Sequence, residues 1–299
     1  MPAVLGVGVA VLDRLLLLER FPEEDAELRA VGQALLPGGN AANTLLVLAR
    51  LGHRCSLLAP LAQDAEAGLL AEALARRGLD LAACPRLPGR TPTSCILLSR
   101  ATGSRTILHH RELPELEAAH LDRVPVEAYA WLHFEGRNPE QTGIMLRRAR
   151  ARAPGARRSL ELEKARPGLE PLLPLADLLI LSRAFARALG LAGPEAALAW
   201  ARERAPRALV AVPWGEEGAW GQAPGEAPVR VPAARPSEVV DTRAAGDSFA
   251  AGLIHALLAG RPLAGALGYA AALAGAKCAS LGLDDFPLPP LPPLREEAC

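Results

Sequence analysis

Short apolar runs alternate with helical segments along almost the whole chain, and this alternation limits the possible folds more than any other feature. Residues 4–12 are almost continuously apolar, as expected of a central strand covered on both faces. Residues 55–60, 129–134, 159–162, 178–181 and 208–212 read as further strands. Between them, residues 41–51, 65–77, 141–151, 183–189 and 194–204 carry helical periodicity. Residues 93–98 and 106–109 flank the turn 100–104 and predict a β-hairpin. The expectation is a single α/β domain over residues 1–299, three-layered, with a mainly parallel central sheet and helices on both faces. Aromatic residues make up only 4% of the chain, so Ala, Leu and Val must fill the core.

Two segments carry chemistry. Residues 241–247, Asp-Thr-Arg-Ala-Ala-Gly-Asp, lie between an extended stretch, 237–240, and an apolar helical run, 248–258. A turn of small residues opening a helix presents unpaired N–H groups at the positive end of the helix dipole, which suits an oxyanion or phosphate. Asp247 falls in the first turn, where a carboxylate can take a proton from a group held at the same spot. An anion hole beside a base is equipment for phosphoryl transfer to a hydroxyl, although an ordinary capped helix start reads the same way. The second segment is Gly38-Gly39-Asn40-Ala-Ala-Asn43, denser in Gly and Asn than helix capping needs. Asp13 closes the first apolar run, and ligands of open α/β sheets gather at the carboxyl ends of strands. Gly6 and Gly8 hint at a dinucleotide turn but lack the full pattern.

Several classes are excluded. Lys and Arg together number 33, as do Asp and Glu, so no electrostatic footprint for nucleic acid or an anionic membrane arises. The uncharged runs 248–260 and 262–276 each fall short of the roughly 20 residues that span a bilayer. The N-terminus has no basic region before its apolar run, so it is not read as a signal peptide. The five cysteines form no CxxC pair or zinc pattern and read as reduced thiols of a cytoplasmic enzyme. His109, His110 and His133 have no nucleophile at a recognisable spacing and read as structural histidines.

With these segments placed, the chain resembles the ribokinase-like (PfkB) carbohydrate kinases from its first strand to Gly282. The matching features are Asp13, the 38–43 segment, the helix end Leu51-Gly52, and the 241–247 segment, in that order. Ala244 stands where many relatives have Gly, as in the Ala-Ala-Gly-Asp form of ribokinases themselves. Phe134-Glu-Gly-Arg-Asn138, Glu161-Leu-Glu-Lys164 and Trp214-Gly-Glu-Glu-Gly218 look like segments of the ketohexokinase branch of the family.

The resemblance implies a ribokinase-like three-layer α/β/α fold with a small β-sheet lid, drawn from about residues 14–36 and 91–110, that shuts out water. It implies ATP-dependent phosphorylation of the 1-hydroxyl of D-fructose. Asp247 would be the base, and the turn Ala244, Ala245, Gly246 and Asp247 the anion hole. Asp13, Gly39, Asn40 and Asn43 would bind sugar hydroxyls, with Asp25 and Arg137 as additions. Arg105 and Thr242 would reach ATP phosphate with Gly246, while Gly215, Gly218 and Cys278 would line the adenine pocket. ATP and Mg²⁺ are the implied cofactors, with K⁺ a further candidate, and a homodimer through the lid is the implied assembly. The Asn-x-x-Glu of many relatives is replaced by Ser182-Arg-Ala-Phe185, so the ligands of Mg²⁺ stay unknown. Glu161 and Glu163 are open either to holding metal-bound water or to being a solvated strand end. A kinase for another sugar, a sugar acid or a nucleoside, and a non-catalytic binding homologue, are the alternatives. The proline-rich tail, 286–299, reads as an extended surface segment outside the resemblance.

Overall fold

A computed structural model describes residues 1–102 and 104–291. The apolar run 4–12 forms two strands, β1 (Ala3–Val7) and β2 (Val11–Leu18), because the chain leaves the central sheet at Gly8 and enters a second sheet. Asp13 therefore lies inside a strand of the second sheet instead of ending a central strand. Strand β3 (Gly32–Gly38) follows β2, and α1 (Asn40–Arg50) returns the chain to the central sheet at β4 (Arg54–Leu58). Helix α2 (Ala65–Arg76) leads to the short β5 (Leu79–Asp80), and then β6 (Thr93–Ser99) and β7 (Arg105–His110) form the expected hairpin. One residue of its turn, Gly103, lies outside the described residues.

Next come α3 (Ala118–Asp122), β8 (Trp131–Glu135), α4 (Pro139–Arg152), β9 (Arg157–Leu162), β10 (Leu178–Leu181), α5 (Arg183–Ala188), α6 (Pro194–Arg204) and β11 (Leu209–Pro213). Two short strands, β12 (Ala219–Gln222) and β13 (Val229–Val231), precede α7 (Ala245–Leu258) and α8 (Leu263–Cys278). The central sheet runs β13-β12-β11-β10-β9-β8-β1-β4-β5, parallel from β5 to β11 and antiparallel at the β12–β13 edge. The second sheet, β3-β2-β6-β7, is the lid, and its first strand starts at Val11.

Alternate strand residues face two apolar cores. Val4, Leu57, Leu178 and Ile180 pack against α1, α2, α7 and α8. Leu5, Val7, Leu132, Phe134, Leu160 and Leu179 face α4, α5 and α6. Small residues bring α7 and α8 close, since a Cβ on Gly252 would stand 3.0 Å from the Cα of Ala270. The extended stretch 237–240 is not a strand, but the amides of Val240 and Asp241 donate to the Cys278 carbonyl at the end of α8.

The tail begins differently from expectation. Phe286 is fully buried, with the Arg50 guanidinium 4.3 Å from its ring centre and donating to its carbonyl. Arg77 pairs through two 2.7 Å bonds with Asp284, which ties the preceding loop to the end of α2. Residues 292–299 of the expected surface tail, Cys299 included, lie outside the described residues. Cys55, Cys84, Cys95 and Cys278 are free thiols.

Candidate active site

Helix α7 opens with the motif read from the sequence. Ala244, its N-cap, has φ 54°, a left-handed conformation that a residue with a Cβ adopts only under constraint. Gly246 is exposed, and a Cβ there would meet nothing within 4 Å, so the space above the first turn is open. The N–H groups of Ala245, Gly246 and Asp247 belong to that first turn and have no intrahelical acceptor.

Asp247 points the other way, into the protein, and is only 6% exposed. Its Oδ2 accepts a 2.7 Å bond from Asn43 Nδ2. Burial, and next the charge of Glu161, push its carboxyl well above the ordinary range; Glu135 and Glu163 add to the rise and the Asn43 bond opposes it.

Close packing accounts for both glycines of the 38–43 segment. A Cβ on Gly38 would stand 2.3 Å from an Asp13 carboxylate oxygen, and one on Gly39, where φ is 102°, 2.2 Å from the Val9 carbonyl. This squeeze sets the start of α1 against the first crossover. Asn43 on α1 then reaches Asp247, while Asn40 Nδ2 stands 3.5 Å from Glu161 Oε1. Glu135 locks the same junction. Its Oε1 accepts from Ala41 N at 2.7 Å and from Val9 N at 3.2 Å, and Gly8 is needed because a Cβ there would lie 2.4 Å from that oxygen. Burial pushes the Glu135 carboxyl up to about 7.

The lid contributes Asp13, in register with Leu36 of β3 and Ser94 of β6. Burial raises its carboxyl, while the Ser94 hydroxyl and the Arg243 charge draw it back. Asp13, Asn43, Arg243 and Ala244 line one pocket, walled by Leu36, Pro37 and residues 282–284. Arg105 of β7 donates to the Thr242 hydroxyl, so the hairpin touches the turn that leads into α7. Two other sugar-site candidates do not line that pocket. Asp25 sits exposed on the turn between β2 and β3 with φ 63°, and Arg137 turns its guanidinium to Glu115 at 2.8 Å.

Of the adenine-pocket candidates, Gly215 is exposed just after β11, beside the Arg183 guanidinium. Cys278 ends α8 against the 240–241 segment. Gly218 is explained by packing, since a Cβ would stand 2.1 Å from the Val231 carbonyl of β13. Trp214 and Trp220 are buried beside the sheet, and Trp220 Nε1 donates to Glu195.

Glu161 is no solvated strand end. It is buried at the carboxyl end of β9, and its Oε2, facing His133 Nε2 at 3.7 Å, has no hydrogen-bond partner. His133 is fully buried with Nδ1 2.8 Å from the Ser159 hydroxyl, in keeping with a structural histidine. Among the described residues no group of three or more His, Cys, Asp and Glu side chains is placed to hold a metal. Sequence reasoning gave Glu135 no role, because its contacts lie 94 and 126 residues away and leave no local pattern.

The pfkB family carbohydrate kinase profile matches residues 1–289. The chain is 34% identical to the ketohexokinase of Mus musculus over 290 residues, 94% of this chain and 97% of that one. It is 30% identical to the 1-phosphofructokinase of Rhodobacter capsulatus over 255 residues, covering 80% and 79% of the two. The ribokinase of Arabidopsis thaliana, solved with ribose and ATP, superposes with a TM-score of 0.79 at 24% identity over 94% of both chains.

Proposed function

Because this chain belongs to the pfkB family of carbohydrate kinases, we propose that it transfers the γ-phosphoryl group of ATP to the 1-hydroxyl of D-fructose. The observation that carries the reading is Asp247. A buried carboxylate of raised basicity, oriented by Asn43, lies in the first turn of a helix with open space at the neighbouring Gly246. Asp13, Gly39, Asn40 and Asn43 would hold sugar hydroxyls, which both donate and accept. The Asp247 carboxylate would take the hydroxyl proton as the oxygen bonds to the γ-phosphorus. The bond to the bridging oxygen breaks, and ADP leaves with its electron pair.

The N–H groups of residues 245–247 would carry the charge on the migrating oxygens. Thr242 and Arg105 would meet ATP phosphate, and Gly215, Gly218 and Cys278 the adenine. Mg²⁺ would arrive with ATP and keep several of its waters, so it would need no all-protein cage. The unpartnered Oε2 of Glu161 is the atom available to accept from such a water. Mg²⁺ supplies charge neutralisation to the phosphates when bound.

A second copy of the chain is the proposed lid partner. Every residue of β7 is exposed, Ile107 by 49% and Leu108 by 60%, a bare apolar edge that proteins normally cover.

The test is ADP release with ATP and Mg²⁺ over a panel of D-fructose, D-fructose 1-phosphate, D-ribose, a sugar acid and adenosine. Product structure is then assigned by phosphorus NMR. Fructose 1-phosphate as the main product supports the proposal. Preference for another acceptor keeps the family and replaces the substrate.

A further inference from the structure

The chain has only two lysines against its many arginines, and one of them, Lys277, is completely buried in the last turn of α8. Its Nζ donates to the Asp241 carbonyl at 2.7 Å, to Asp241 Oδ2 at 2.8 Å and to the Ser280 carbonyl at 3.3 Å. All three ammonium protons thus have an acceptor.

Asp241 is as fully engaged. Its Oδ1 accepts from the backbone N and Nε of Arg243, and its Oδ2 accepts from Arg243 Nη2 and the Gly282 amide as well as from Lys277. With five donors on it, the carboxyl is held down to about 2, burial opposing and the Arg243 and Lys277 bonds prevailing. This knot joins three segments: the residues just before α7, the end of α8 and the 280–282 loop. It fixes both the carbonyl of residue 241 and the amide of residue 243.

The next residue is Ala244 at φ 54°. An alanine stays in the left-handed region only where its surroundings dictate the backbone path. The bonds that dictate the path on its N-terminal side are those of the knot.

We infer that Lys277 is a positioning residue for phosphoryl transfer: through Asp241 its ammonium holds residues 241–244 in the conformation that aims the first N–H groups of α7 at the migrating phosphoryl group. Lys277 has no exposed surface and acts through the turn, not on substrate. The inference rests on the assignment of the 244–247 turn as the anion hole, and does not depend on which sugar is the acceptor.

Turnover of the parent protein, measured first on whichever panel acceptor it prefers, tests the kinase reading independently. Lys277→Met keeps the length of the side chain and removes the charge, while Lys277→Ala leaves room for a small amine. A donor array that acts mainly in the transition state affects kcat and kcat/KM alike. The expected result for Lys277→Met is a fall in kcat of about 10- to 100-fold, with KM for sugar and for ATP within about threefold of the parent. In Lys277→Ala, added methylammonium should restore part of the lost kcat along a saturating curve, and tetramethylammonium should not. The melting temperature and folded fraction of each variant are measured alongside.

An unchanged kcat, a rise in KM alone, or activity that simply follows the folded fraction would overturn the inference. If neither Lys277 variant folds, Asp241→Asn takes their place, since it weakens the same knot from the other side and retains its hydrogen-bonding shape. It must then lower kcat at unchanged KM, and parent-like kcat in that variant also overturns the inference.

Discussion

Asp247 forms no salt bridge among the described residues: burial first, and then the charges of Glu161, Glu135 and Glu163, raise its carboxyl, and the Asn43 amide opposes them. Such a base takes up a proton more readily than a surface aspartate does, and it must be ionised before it can work. Asp247→Asn is expected to lower kcat by about 10²- to 10⁴-fold. Removing one of several mutually repelling buried carboxylates should leave the melting temperature unchanged or higher, so steady-state kinetics and calorimetry on the same sample separate a lost base from a lost fold.

The acid limb of the kcat/KM profile should lie above the usual carboxylate range. Glu161 is the largest charged contributor to that rise, so Glu161→Gln should move the limb to lower pH, and a limb that stays put would show that the Glu161 charge has no part in it. Glu135 makes the matching prediction for stability. Its folded value of about 7 exceeds the unfolded 4.5, so between those pH values the folded chain holds a proton that the unfolded chain has lost. Stability should therefore be greatest below the window and decline as pH rises through it, by up to ~1.4 kcal/mol per pH unit. Glu135→Gln keeps an acceptor for Val9 and Ala41 and should flatten this slope in urea titrations at a series of pH values.

At the scale of elements, the decisive junction is the one where β1 ends, β2 begins and α1 starts. Gly39→Ala would set a side chain against the Val9 carbonyl at a φ of 102°, so a loss of about 3 kcal/mol or more in unfolding free energy is expected. Gly246→Ala has open space around it and should fold normally. If both alanine variants unfold alike, the close approach at Gly39 is not what that glycine is for.

The junction also shows what a sequence can reveal. The alternation of strands and helices was legible because burial on both faces leaves continuous apolar runs, and residues 178–181 and 194–204 fall on their elements with the expected ends. The break inside residues 4–12 was hidden for the same reason: both resulting strands are apolar, and only Gly8 marks the exit. Strands β12 and β13 escaped notice because four and three residues carry too little periodicity. In the site, Asn43 and Asp247 were legible because each sits in a local turn-plus-helix pattern. Glu135 and the Lys277–Asp241 knot were not, since their meaning lies in partners far along the chain.

For the molecule as a whole, the lid raises a question of solvent exposure that one copy leaves open. Strands β2 and β6 are central in the lid sheet, and Leu15, Ile96 and Leu98 form a small core of their own. The outer strand β7 has no such cover, and Leu35 on the opposite edge is 43% exposed. An apolar edge strand in water invites pairing, and an identical strand from a second copy meets it with matched geometry and no new surface left open. Sedimentation velocity at micromolar concentration should therefore give a dimer. Replacing Ile107 and Leu108 together by Asp should give a monomer with an intact central sheet. Because Arg105, at the base of the same strand, bonds Thr242 in the transfer turn, loosening β7 should also reach the chemistry. The monomer is expected to show a raised KM for ATP as well as a changed mass. A monomer with parent kinetics would mean that the hairpin is held by its own chain alone, and a parent protein that sediments as a monomer would remove the need for a partner.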